Sequence, residues 1–370
     1  AAARPADAPK GAPDPTVALR DVENIESVKR GYVTRRLDLA GCKLLKASGL
    51  SPNRGDLVLA RVDDIGHHRH LELISGRRAR LFPGDEILLA FGERYATDQF
   101  HARLPDNLRK CHLVAAGGMA SRVVARHASA RRPTRITPLG LLVDATGRRL
   151  NLSDAALGPA PAPSARAKEP NVIVVVGCAM NSGKTTTAAN IIRALRHARL
   201  RVAACKMTGT GSGGDCWLYK DAGADPVLDF TDAGFASTYN VPLAALEDAG
   251  RCLLGHLKAA APDAIVIEIA DGVFQQETNA LLRTAFLKEA TDSVVFAASD
   301  PIGAAAGVQL LASFGYRTSA VSGVVTASPL AAAEAARATG LTVLANDDFE
   351  SPEIAVSAIL QPARADTESL

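Results

Sequence analysis

Val172-Ile-Val-Val-Val-Gly-Cys-Ala-Met-Asn-Ser-Gly-Lys-Thr-Thr-Thr187 decides the reading of this chain. A β-branched apolar run enters a loop, and the loop opens a helix, which is the context a phosphate-binding loop needs. Backbone N–H groups must converge on phosphate oxygens there, so side chains must stay clear and glycine is favoured. The helix start adds the positive end of its dipole. In that geometry Lys184 reaches the β- and γ-phosphates and the Thr185 hydroxyl completes a magnesium shell. The usual pattern is G-x-x-x-x-G-K-[ST]. Gly183-Lys184-Thr185 supplies its end, but Cys178 stands five residues before Gly183 and Gly177 six before. Either Cys178 takes the first position or the loop carries one extra residue. The candidate nucleotide contacts are Gly177, Cys178, Asn181, Ser182, Gly183, Lys184, Thr185 and Thr186.

Two further stretches fit the same chemistry. Ala264-Ile-Val-Ile-Glu-Ile-Ala-Asp-Gly272 is an apolar strand ending in acids. Glu268 and Asp271 are candidates for the carboxylate that faces magnesium or the attacking group. Cys205-Lys-Met-Thr-Gly-Thr-Gly-Ser-Gly-Gly-Asp215 leaves the second apolar run. Lys206 then stands at a strand's carboxyl end, where α/β sheets bind ligands, and is expected to meet phosphate or a substrate anion, with Asp215 near the metal. The expected catalytic set is Lys184, Lys206, Glu268 and Asp271. The expected magnesium set is Thr185, Asp215 and Glu268.

Around this core, apolar runs at 172–176, 201–205, 264–269, 293–297, 320–325 and 341–344 alternate with helix-like stretches near 184–197, 242–260, 276–289, 301–314 and 329–339. Strands buried on both faces and joined by helices predict a mostly parallel α/β sheet over 171–360. Upstream, short runs at 56–62, 70–74, 86–91, 111–115 and 136–143 are separated by turn chemistry such as Pro83-Gly84-Asp85. They predict a smaller β-rich domain over 20–151, a barrel or a sandwich. The Pro/Ala-rich stretch 152–170 reads as an extended linker, 1–19 as a disordered lead and 361–370 as a tail.

A chain of 370 residues, 47% hydrophobic and 22% charged, suits two globular domains. No apolar run approaches the roughly 18 residues that cross a bilayer. With no hydrophobic leader at 1–16 and no C-x-x-C pair among the six cysteines, reduced thiols and a cytoplasmic location are expected. The net charge of +3 conceals a basic half: residues 20–150 carry 24 Lys and Arg against 14 Asp and Glu, leaving the rest of the chain at −7. Such a half attracts anions or forms a solvated surface. His67, His68 and His70, with Cys111-His112, read as an exposed turn rather than a metal site. Residues 91–100, with Arg94, Tyr95 and Asp98 and then His101, read as a surface loop, with a substrate or interface loop as the alternative. Asp300-Pro301 reads as a helix cap.

The α/β half resembles the P-loop NTPases that include dethiobiotin synthetase, the MobB protein of molybdopterin-guanine dinucleotide synthesis and a D-glutamate N-acetyltransferase-like group. Gly183-Lys184-Thr185, Lys206-Met-Thr-Gly209 and Glu268-Ile-Ala-Asp-Gly272 are similar to three segments of dethiobiotin synthetase, with Met207 in place of a proline and Asp271 in place of a glycine. Residues 214–224 are similar to a MobB stretch, and Asp229-Phe-Thr-Asp-Ala-Gly234 to one in the acyltransferase-like group. The resemblance spans about 175 residues and implies an ATP- or GTP-dependent protein with magnesium, often a homodimer. With no N-K-x-D tetrad for guanine, ATP is the expected nucleotide. The expected function is an ATP- and Mg-dependent kinase or ligase acting on a small anionic metabolite. A nucleotide-dependent switch is the alternative, and a nucleic-acid kinase or binder the less favoured third.

Overall fold

The computed structural model describes residues 18–21, 25–46, 49–162 and 168–360. Most of the expected lead, and the tail at 361–370, lie outside the described residues. The first part is all β: β1 (Ala18–Asp21), β2 (Lys29–Arg30), β3 (Lys43–Lys46), β4 (Leu57–Asp64), β5 (His70–Glu72), β6 (Arg78–Arg80), β7 (Glu86–Phe91), β8 (Arg94–Tyr95), β9 (Phe100–Arg103), β10 (Cys111–Ala115), β11 (Met119–Arg126) and β12 (Thr134–Val143). Strands β12, β4, β7, β11 and β10 pair in a closed ring, so this part is a small barrel. Alternation along each strand fills it. Val58, Ala60 and Val62 of β4 meet Ile87, Leu89 and Phe91 of β7, with Leu113 and Ile136, in one cluster. The intervening Leu57, Leu59, Leu88 and Ala90 form a second cluster, which extends to Ala236 of the following region. Both faces of β4 and β7 are therefore buried, which explains their unbroken apolar runs.

The second part has seven strands, β13 (Asn171–Gly177), β14 (Val202–Lys206), β15 (Val227–Asp229), β16 (Ala264–Glu268), β17 (Ser293–Ala297), β18 (Thr318–Ser322) and β19 (Thr342–Val343). All pair in parallel, in the order β15-β14-β16-β13-β17-β18-β19. Helices α1 (Lys184–His197), α2 (Gly214–Asp221), α3 (Leu243–Ala259), α4 (Gln276–Leu282), α5 (Ala285–Ala290), α6 (Pro301–Ser313), α7 (Pro329–Thr339) and α8 (Pro352–Ile359) connect and cover them. Ile173 and Val175 pack with Ala188, Ile191, Ile192 and Leu195 of α1 on one face. Val172, Val174 and Val176 pack with Leu253, Leu254 and Leu257 of α3 on the other. Each fully buried side chain of this size stabilises by about 1.5–3 kcal/mol. Successive strands run to one side of β13 through β14 and β15, then to the other from β17 onward. That reversal places the ligand crevice outside the carboxyl ends of β13 and β16.

The barrel sits on this carboxyl edge. Tyr32 Oη donates to Asp229 Oδ2 at 2.9 Å, and Arg35 Nη2 to Asp232 Oδ1 at 2.6 Å. Ser212 Oγ and Gly213 N both donate to Glu72 Oε2, at 2.8 and 2.9 Å. The expected linker is not extended throughout. Asn151 caps a 3-10 turn at Leu152–Ala155 in a reciprocal capping box, Leu152 joins the barrel core, and Leu157 N donates to Asp232 O. Leucines among the Pro and Ala supply the apolar anchors that composition alone conceals; residues 163–167 lie outside the described residues.

Gly117 of the barrel lies against the Gly211 backbone, and a Cβ there would come within 2.1 Å of Gly211 O. With backbone on both sides, neither partner can yield by changing rotamer. Gly117→Val is expected to lower stability by about 1–3 kcal/mol, the usual range for overpacking. A denaturant midpoint unchanged from wild type would contradict this close docking.

Candidate nucleotide site

The loop from Gly177 to Gly183 carries the extra residue. Gly177 is the last residue of β13, and a Cβ on it would meet Ser182 Oγ at 2.3 Å, Ala297 O at 2.7 Å and Lys184 Cγ at 2.9 Å. Only glycine lets the loop fold back this closely. Cys178 is not a free phosphate contact: its N–H donates to Ala297 O, and its Sγ lies 3.3 Å from Ser299 Oγ. Gly183 takes a left-handed φ of 96° directly before α1. Gly177, Cys178 and Ser182 thus shape the loop from behind. Among the described residues no backbone carbonyl accepts from the N–H groups of Gly183, Lys184, Thr185 or Thr186. These are the orphan donors of a helix start.

Those donors face a cavity of about 500 Å³, lined also by Asn181, Lys206, Asp215, Glu268 and Asp271. Nine of the twelve expected site residues therefore meet in one place, from three strand ends and the start of α1. Lys184 Nζ donates to Ala179 O at 2.8 Å. Burial pulls the Lys184 ammonium below the ordinary lysine range, while Glu268 and Asp271 pull it back up. Thr185 Oγ1 lies 3.1 and 3.3 Å from the two Glu268 oxygens. Glu268 also accepts from Tyr219 Oη in a short hydrogen bond and lies 3.7 Å from Lys206 Nζ. Lys206 is ion-paired to Asp215. That pairing revises the expectation for both: Asp215 neutralises Lys206 before it faces any metal, and Lys206 is already shared between two acids. Asp271 has no hydrogen bond or ion pair from its side chain among the described residues. Burial raises its pKa, against Lys184, Lys206 and Arg94.

Magnesium takes few protein ligands, hard oxygen donors among them, and leaves the rest to phosphate and water. The adjacent Thr185 hydroxyl and Glu268 carboxylate fit that habit. Among the described residues no group of three His, Cys, Asp or Glu forms a dedicated metal cage. A second lobe of about 370 Å³ shares Gly183, Thr186 and Val324 with the first and continues past Thr326 and Ala327 to Asn346 and Asp347.

The barrel closes the first cavity with Arg94, Tyr95 and Ala96, and Asn181 Nδ2 donates to Asp98. Residues 94–96, with Asp98 beside Asn181, thus form a wall of the site, so the stretch 91–100 is not a plain surface loop. The charged and aromatic mixture Arg94-Tyr95 was the available signal. No signal in the sequence pointed to Tyr219. His68 departs from the exposed-turn reading. It is buried against Phe100 and lies 3.4 Å from Arg94 Nη1. Asp300 caps α6, accepting from Gly303 N.

A strand, this glycine loop and a helix, with an acid ending the neighbouring strand, form the strand–loop–helix arrangement that a phosphate-binding loop requires. No protein-family model and no curated protein matches the chain. Among solved structures it is similar to the signal recognition particle receptor FtsY from Elizabethkingia anophelis in complex with GDP. Identity there is 15% over 55% of this chain and 68% of that one, with a TM-score of 0.34. It is also similar to the signal recognition particle 54 kDa protein from Aeropyrum pernix K1 in complex with GDP. Identity there is 17% over 52% of this chain and 46% of that one, with a TM-score of 0.36. Neither match singles out the dethiobiotin synthetase or MobB group. No helix among the described residues is long and apolar enough to cross a membrane.

Proposed function

We propose that this chain binds ATP with magnesium and transfers its terminal phosphoryl group to a small anionic metabolite. One observation carries the reading. Four unpaired amides, the Lys184 ammonium and the Thr185–Glu268 oxygen pair converge on a single cavity. The amides and Lys184 hold the phosphates by charge and position, which is most of what phosphoryl transfer asks of a protein. Thr185 and Glu268 would hold the magnesium, whose charge would offset that of the phosphates. An acceptor oxygen attacks the γ-phosphorus, the bond to the β-phosphate oxygen breaks, and Asp271 takes the acceptor's proton. Its unpaired carboxyl and raised pKa suit that role. The test is nucleotide consumption by the purified protein against a metabolite pool, with mass analysis of the product. Consumption without any phosphorylated or ligated product would overturn the transfer reading.

Two alternatives are separable. The carboxylate of Asp347 in the second lobe matches the N–H donors of guanine, so GTP is the second nucleotide to compare. Because barrel residues line the nucleotide cavity, a nucleotide-dependent switch is the second functional reading. It requires very slow hydrolysis and partner binding gated by nucleotide.

Asp271 gives a pH prediction. The group must be ionised to accept a proton, so the acidic limb of kcat/KM is expected above the ordinary Asp value of about 3.9. Its raised folded-state pKa also means that ionisation opposes folding, so its contribution to stability falls as pH rises through that window. Asp271→Asn is expected to abolish turnover and to melt higher than wild type at neutral pH. A variant that keeps the acidic limb and turns over normally would remove Asp271 from the mechanism.

A further inference from the structure

Arg94 has no part in the mechanism above, yet it is a buried cation in the wall of the cavity, 7% exposed. Its Nη1 donates to Val114 O in a short bond and lies beside His68 Nε2. Its Nε is buried and has no partner among the described residues. Among the described residues no carboxylate lies within ion-pair distance of it; the acid it senses most is Asp271, across the cavity. His68 supplies no negative charge. Burial first, then the positive charge of Arg94, hold its ring pKa down at about 3, so it is neutral. A buried charge without a counter-charge is expensive to keep. Lys206 is already met by Asp215 and Glu268, and Lys184 is taken by the nucleotide. Arg94 is thus the cation left over in the site, and it comes from the barrel.

Resting on the nucleotide reading, we propose that Arg94 docks an oxyanion of the acceptor, a carboxylate or a phosphate, so that the barrel supplies the acceptor half of the site. A guanidinium fork pairs with either group through two parallel hydrogen bonds. An anion placed there meets Arg94 on one side and the phosphate end of the cavity on the other, next to Asp271.

The test uses the full chain loaded with magnesium and a non-hydrolysable ATP analogue, which occupies the phosphate loop. Succinate is titrated in one arm and inorganic phosphate in the other, by calorimetry and thermal shift. At least one anion is expected to bind, at least tenfold more weakly to Arg94→Gln, with analogue affinity changed less than twofold. The arm that binds identifies the group. Arg94→Lys keeps the charge and loses the fork, and is expected to fall between the two; it also serves if Arg94→Gln does not fold. The proposal is overturned if neither anion binds the loaded wild type, or if the variants bind as well. It is overturned too if Arg94→Gln loses the analogue, because Arg94 would then serve the nucleotide. Failure of the analogue to bind wild type would instead overturn the nucleotide reading, and this proposal with it.

Discussion

Lys184→Ala is expected to lower turnover about 100- to 1,000-fold, the scale for losing one preorganised charge-stabilising group in a water-poor site. Lys184 is 5% exposed at the start of α1, and among the described residues its ammonium is bonded only to the loop carbonyl of Ala179. Among the described residues no carboxylate lies within ion-pair distance of it, and Glu268 and Asp271 offset only part of its burial, so most of its interaction energy is available to phosphate. Lys184→Met separates this role from packing. It keeps the aliphatic stem and removes a charge whose burial works against folding. The nucleotide-free variant is therefore expected to melt at or above wild type. Wild type at 100 times Kd should gain about 2.7 kcal/mol from nucleotide, and the variant should lose most of that gain. Thermal shifts with and without nucleotide, together with turnover, check both halves. Intact turnover in either variant would end the phosphate assignment.

Glu268→Gln is the second large effect. The carboxylate is 2% exposed and gathers Thr185, Tyr219 and Lys206 around itself. Glutamine preserves volume and removes charge. The magnesium concentration for half-maximal turnover is expected to rise about 10- to 100-fold, the range seen when a metal's supporting groups are lost. Folding should change less, because Lys206 keeps Asp215 as its counter-charge. Asp215→Asn provides the contrast. Since Asp215 is held by Lys206, its loss is expected to shift magnesium dependence less than Glu268→Gln does. A magnesium titration giving the two variants in the opposite order would place the metal on Asp215.

The α/β half was largely legible because its strands are buried on both faces and helices such as α1 and α3 show one apolar stripe. The runs at 172–176, 264–269 and 293–297 became β13, β16 and β17. Helix α7 matched its expected span of 329–339. The run at 320–325 stayed a strand only as far as Ser322, the end of β18. Gly323 turns to a φ of 94° and Val324–Ala327 forms a 3-10 turn, which swings Val324 into the cavity. The stretch at 276–289 split into α4 and α5, because Thr284 caps a new helix with its own side chain. Strand β15 is three residues long and helix α2 has little amphipathic pattern, so neither left a period to read. The phosphate loop was legible from local chemistry. The acceptor wall was not, because Arg94 is brought to Lys184 only by docking of the barrel, and no local pattern encodes contacts across 90 residues of sequence.

A crystal of the full chain grown with magnesium and a non-hydrolysable ATP analogue tests the central claim most directly. The account predicts that Lys184 Nζ leaves Ala179 O for a γ-phosphate oxygen, with the N–H groups of residues 183–186 on the phosphates and Thr185 and Glu268 at the metal. Phosphates bound elsewhere, or an empty loop with Lys184 still on Ala179 at saturating analogue, would contradict it.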